Sequence, residues 1–156
     1  MEGEVQQGPS VGRRAGAALG AAVLLGAAAC GADPSAVYRD SAVKALEGSL
    51  SEARTAELAG RLWLTGRSTH PLAVVVVRDS DAGVGADTAW FEEQQPPRPL
   101  DDVVRGRTTD ALDAAASAVQ SVRIALDRSD TRATRAALDE LRSASSDLEA
   151  LAEELS

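Results

Sequence analysis

Four leucines near the C-terminus constrain this chain more than any other feature. Leu138, Leu141, Leu148 and Leu155 stand three, seven and seven residues apart, with Ser145 and Ala152 at the intervening places. Ala137, Ala144 and Leu151 widen the stripe, while Arg135, Asp139, Glu140, Arg142, Asp147 and Glu149 fill the opposite side. That spacing is the period of an α-helix with one apolar face; a strand needs a period of two. A helix with one apolar face must bury it against something, so it predicts neighbours of the same kind. Ser129 or Asp130 can cap its start by accepting a backbone N–H.

The segment before it repeats the pattern. Leu112, Ala115, Val119, Val122 and Leu126 are spaced three, four, three and four, and Leu100, Val103 and Val104 extend the same helix upstream. Pro99 suits a first turn, and Asp101 and Asp102 favour the positive N-terminal end of the helix dipole. Gly106 is a local weakness. The link around Arg128 and Ser129 is short enough to make these two helices antiparallel neighbours. Further upstream, Val43, Leu46, Leu50, Ala53, Ala56 and Trp63 predict a helix from Pro34 to about Thr65, with Gly66 as its C-cap. Gly48 and Gly60 weaken that helix unless they permit close contact with a neighbour.

Residues 68–95 pull in two directions. Leu72-Ala73-Val74-Val75-Val76-Val77 has the β-branched character of a strand, and Gly83 and Gly85 are breakers. Yet no second strand exists to pair with it, and a lone strand leaves its backbone unsatisfied. Thr69 can cap a helix with Pro71 in its first turn, running to about Gln95 before Pro96-Pro97-Arg98-Pro99 stops it. The helix is the better reading. The fold class expected is therefore all-α: an up-down-up-down four-helix bundle over residues 30–156.

Composition narrows the chemistry. Among 156 residues there are 31 alanines, one Cys, one His and one Lys, with 24 acidic residues against 16 basic ones, a formal charge of −8. One cysteine excludes a disulfide scaffold and a thiolate zinc site, and one histidine excludes a multi-histidine metal centre within one chain. The acidic balance argues against nucleic acid as a partner. His70, between Thr69 and Pro71, reads as a loop or capping histidine, since no nucleophile–base–orienter pattern surrounds it. Gly83-Val84-Gly85 lacks the Lys-Ser/Thr ending of a phosphate loop. Asp79-Ser80-Asp81 starts like a calcium loop, but position twelve is Trp90 where a bidentate acid is required. Asp101-Asp102 and Glu153-Glu154 read as solvated or helix-end charges. No catalytic residue, metal ligand or cofactor site is expected, and the chain is not expected to be an enzyme. In the expected topology Tyr38, Trp90 and Phe91 gather at one end and Trp63 lies at the other. End-of-bundle packing accounts for them, and a Trp90 turned toward a membrane or partner is the sharper alternative.

The N-terminal thirty residues carry an address. Arg13-Arg14 precede AGAALGAAVLLGAAA, fifteen residues without a charge, and Cys30 follows. A basic segment, a short apolar run and small residues at its end are the marks of an export signal. Fifteen helical residues rise about 22 Å, short of the ~30 Å bilayer core. Glu2 and Glu4 are unusual ahead of such a signal, and translation from Val11 would remove them. The stretch Leu24-Leu25-Gly26-Ala27-Ala28-Ala29-Cys30 resembles the lipobox of bacterial lipoproteins, with Ala27 where leucine is commonest. The resemblance covers residues 13–31. It implies cleavage between Ala29 and Cys30, lipidation of Cys30, and residence on the outer face of the cell membrane. Residues 1–29 would then be the signal peptide and residues 30–156 the mature domain, still at charge −8.

The helix ending Trp90-Phe91-Glu92-Glu93-Gln94-Gln95-Pro96-Pro97, with the later Arg123-Ile124-Ala125-Leu126-Asp127, also resembles a group of small helical lipoproteins of bacteria with GC-rich genomes. That likeness, over roughly residues 36–150, implies a fold and no activity. The expectation is a lipid-anchored bundle with a non-enzymatic interaction or scaffolding role in the envelope. Its membrane contact would be the anchor on Cys30, and its other partner an envelope protein. The alternative is a small-molecule or ion binding protein with a cavity between helices near the Gly-rich second helix.

Overall fold

A computed structural model of the chain describes residues 33–156. Cys30, Ala29 and the rest of the expected signal lie outside the described residues. Four helices follow one another: α1 (Pro34–Leu64), α2 (His70–Glu92), α3 (Asp102–Asp127) and α4 (Thr131–Leu155), with a 3-10 turn, Pro99–Asp101, ahead of α3. Among the described residues there is no strand, and no helix is long and apolar enough to cross a membrane. The valine run lies inside α2. Ala73, Val77 and Val84 enter the core, and Val74 and Val76 pack against it from the sides. Packing against α1 and α3 overrides the strand propensity of those residues.

Each helix runs antiparallel to its neighbours in the sequence. Gly48 and Glu52 on α1 meet Asp87 and Gly83 on α2 in reverse order. Arg78 and Asp81 on α2 reach Asp127 and Arg123 on α3, each at 2.9 Å. Arg107 at the start of α3 pairs with Glu154 at the end of α4. Arg54 and Glu57 on α1 reach Glu149 and Arg142 on α4, at 2.7 and 3.2 Å. This closes the ring of an up-down-up-down bundle.

The apolar stripes meet at the centre. On α4, Ala137, Leu138, Leu141, Ala144, Ser145, Leu148, Leu151 and Ala152 are all buried, as the spacing predicts. On α3 the five seam residues Leu112, Ala115, Val119, Val122 and Leu126 are buried too. Gly60 earns its place in α1: a methyl carbon there would stand 3.0 Å from a Leu138 methyl. Small residues on this face let α1 and α4 approach closely.

The ends of the helices differ in detail from the expectation. Leu100 and Val103 do not extend the α3 seam. They are 84% and 66% exposed, because at about 100° per residue Val103 stands on the side of α3 opposite Leu112, while Thr108 is buried and Val104 packs against the core in the inward places. Thr69 stands at the α2 cap without a side-chain hydrogen bond, and α2 ends at Glu92. Asp130, not Ser129, caps α4, its carboxylate accepting from the Arg132 and Ala133 amides at 3.0 and 2.9 Å. Ser129 closes α3 in a left-handed conformation, φ +53°, as Gly66 closes α1 at φ +68°.

Candidate functional site

The most unusual chemistry lies in the seam between α1 and α2. Gly48 and Glu52 stand one turn apart on α1, and Gly83 and Asp87 one turn apart on α2. The antiparallel register sets each carboxylate over the opposite glycine. A methyl carbon at Gly48 would stand 2.5 Å from Asp87 Oδ2, and one at Gly83 would stand 2.8 Å from Glu52 Cγ. The glycines are therefore notches that admit acidic side chains between the helices.

Ser49 donates a long hydrogen bond, 3.5 Å, to Asp87. One turn before Gly48, the Lys44 ammonium lies 5.0 Å from the Trp90 ring centroid, a cation–π contact. Burial pushes the Asp87 carboxyl above its usual range, and the Glu52 charge adds to that. The Ser49 hydroxyl and the Lys44 charge pull the other way. Two carboxylates and one hydroxyl line this seam. They do not form a nucleophile–base–orienter set. Among the described residues no group of three His, Cys, Asp or Glu side chains could hold a metal ion.

The residues singled out by sequence fall elsewhere. His70 donates its Nε2 hydrogen to the Leu126 carbonyl at 2.7 Å, and the Ser129 hydroxyl lies 3.4 Å from the same nitrogen. Trp63 packs on its ring at 5.5 Å between centroids. His70 thus ties the start of α2 to the end of α3, which is a capping role. Helical geometry splays Asp79-Ser80-Asp81 around α2. Asp79 is exposed, Ser80 is buried, and Asp81 pairs with Arg123, so the three oxygens do not converge. Gly83-Val84-Gly85 is continuous helix with Val84 in the core. Asp101 is buried and accepts from the Ser35 hydroxyl at 2.7 Å, while Asp102 is exposed. Glu154 is held below the usual carboxylate range by its hydrogen bonds to Arg107. Tyr38 and Phe91 stack at 5.7 Å, as the topology predicts, and burial raises the Tyr38 hydroxyl pKa. Trp90, in the last turn of α2, is 36% exposed with the Lys44 ammonium over its ring.

Sequence reading missed Glu52 and Asp87. Their signal is a glycine four residues before an acid, present in both helices, and it acquires meaning only once the register pairs them.

An open groove of about 630 Å³ lies between α1 and α4. A smaller apolar groove of about 190 Å³ lies between α1 and α2 at the far end, lined by Leu58, Leu62, Leu72 and Val76 among others. The fold and site define an all-α four-helix bundle with an alanine- and leucine-filled core. No family model matches the chain, and neither a curated protein nor a solved structure matches it.

Proposed function

We propose that the protein is a lipid-anchored lipoprotein of the cell envelope. Residues 1–29 direct export, cleavage falls between Ala29 and Cys30, and Cys30 carries the lipid. The bundle then works on the outer face of the cell membrane as a non-enzymatic interaction or scaffolding module. One observation carries the reading: the single cysteine stands where fifteen uncharged residues end, three residues before Asp33, the N-cap of α1. Two acyl chains hold a protein to a bilayer stably, where one does so only marginally. The apolar groove at the opposite end suits a protein partner, since Leu58 and Leu72 are 50% and 57% exposed there.

The test is Cys30→Ala in the full chain, expressed in a bacterium that processes lipoproteins. The wild type should fractionate with membranes and incorporate a labelled fatty acid, and the variant should do neither. Membrane fractionation unchanged by the substitution would refute the anchor. Affinity capture of the anchored protein, with and without Leu58→Asp and Leu72→Asp, then tests the partner surface.

A further inference from the structure

We infer that the tip formed by the starts of α1 and α3 is itself a lipid-contact surface, with Leu100 and Val103 seated in the headgroup interface. This inference rests on the lipid-anchor reading. Glu47 lines the same groove as Glu153 and Ser156, so α4 ends level with Glu47. Pro34 lies thirteen residues earlier, so α1 runs on past the end of α4. The start of α3 accompanies it. Arg98 pairs with Asp33 at 2.9 Å, and Ser35 donates to Asp101 at 2.7 Å.

This tip carries the two most exposed large apolar side chains among the described residues, Leu100 and Val103, and Val37 at 50%. Its charges nearly cancel. Asp33 is paired with Arg98, and Asp101 is buried against Ser35. What remains is Arg39 and Arg105 against Asp40, Asp102 and the buried Asp101, a sum of −1. A chain of net charge −8 thus ends in a nearly neutral, apolar point. Two residues separate Cys30 from Asp33, a reach of about 10 Å at full extension. A lipid on Cys30 therefore brings this end of the bundle next to the membrane. The occupant that fits is a zwitterionic bilayer surface, where apolar side chains settle ~5–10 Å deep without needing basic neighbours.

The test uses the acylated full-length protein in phosphatidylcholine vesicles containing a nitroxide-labelled lipid. Leu100→Cys, Val103→Cys and, at the far end, Leu58→Cys each carry a fluorophore, with the Cys30 thiol blocked by its lipid. Quenching at positions 100 and 103 should exceed that at 58 by about twofold or more, as headgroup-level penetration requires. Equal quenching at all three sites in protein that floats with the vesicles overturns the inference and leaves the anchor standing. Protein that does not float, behaving as Cys30→Ala does, removes both. A position-100 probe shielded without lipid, increasingly with protein concentration, assigns the tip to contact between copies and also overturns the inference.

Discussion

Ser129 holds a left-handed backbone, φ +53°, that an L-residue adopts at a cost. It does so because the turn after α3 is a Schellman turn: the Ser129 amide donates to the Leu126 carbonyl at 2.7 Å, and the Asp130 amide to Ala125 at 3.0 Å. The turn after α1 has the same bonds, Gly66 to Trp63 at 2.9 Å and Arg67 to Leu62 at 2.8 Å, with a glycine at the left-handed place. The two turns form an internal control. A left-handed L-residue costs roughly 1–2 kcal/mol. Glycine removes that strain but loses about 0.5–1 kcal/mol more chain entropy on folding. The Ser129 hydroxyl offsets little, because its 3.4 Å contact with His70 is beyond normal hydrogen-bond length and His70 already donates to Leu126. Ser129→Gly should therefore stabilise the bundle by about 0.5–1 kcal/mol, or about 2–5 °C in Tm for a domain of this size. Gly66→Ser should cost a similar amount. Urea titration followed by helical circular dichroism measures both, with an unchanged m-value as the sign that only stability moved. A Ser129→Gly variant less stable than the parent would refute the reasoning. It would mean that the hydroxyl contact to His70 outweighs the backbone strain.

Three further outcomes follow from the packing. Asp87→Asn should stabilise the bundle at neutral pH: the folded pKa is raised, so the folded state binds this proton more tightly than the unfolded chain. That contribution is fully present below the unfolded pKa and is lost as pH rises through the folded value, so the variant's advantage in urea midpoint should vanish in acid. Leu141→Ala, at a fully buried site, should cost about 3–5 kcal/mol, whereas Leu100→Ala should change stability by less than about 0.5 kcal/mol in the same titration. Gly85→Ala should stabilise by about 1 kcal/mol, since nothing lies within 4 Å of the added methyl. Gly60→Ala should forfeit that gain against Leu138, and thermal melts of the two variants compare them directly.

The sequence by itself determined the class of fold. The three-four spacing on α3 and α4 survives as buried seams from Leu112 to Leu126 and from Ala137 to Ala152, because helical period is a local property that any partner must respect. It also determined the antiparallel order, since short links leave no other route. Tertiary structure alone decided what the local signal left open. Val74–Val77 became helix because α1 and α3 pack against α2, and Leu100 and Val103 stand exposed because the phase of α3 turns Val104 and Thr108 inward instead. Asp130 rather than Ser129 became the cap because the left-handed turn after α3 takes Ser129 for its closing residue. The facing of Glu52 and Asp87 over two glycines was invisible for a different reason. Residues 35 positions apart meet only when the register of two helices is set, and that register is fixed by the whole core, not by either segment.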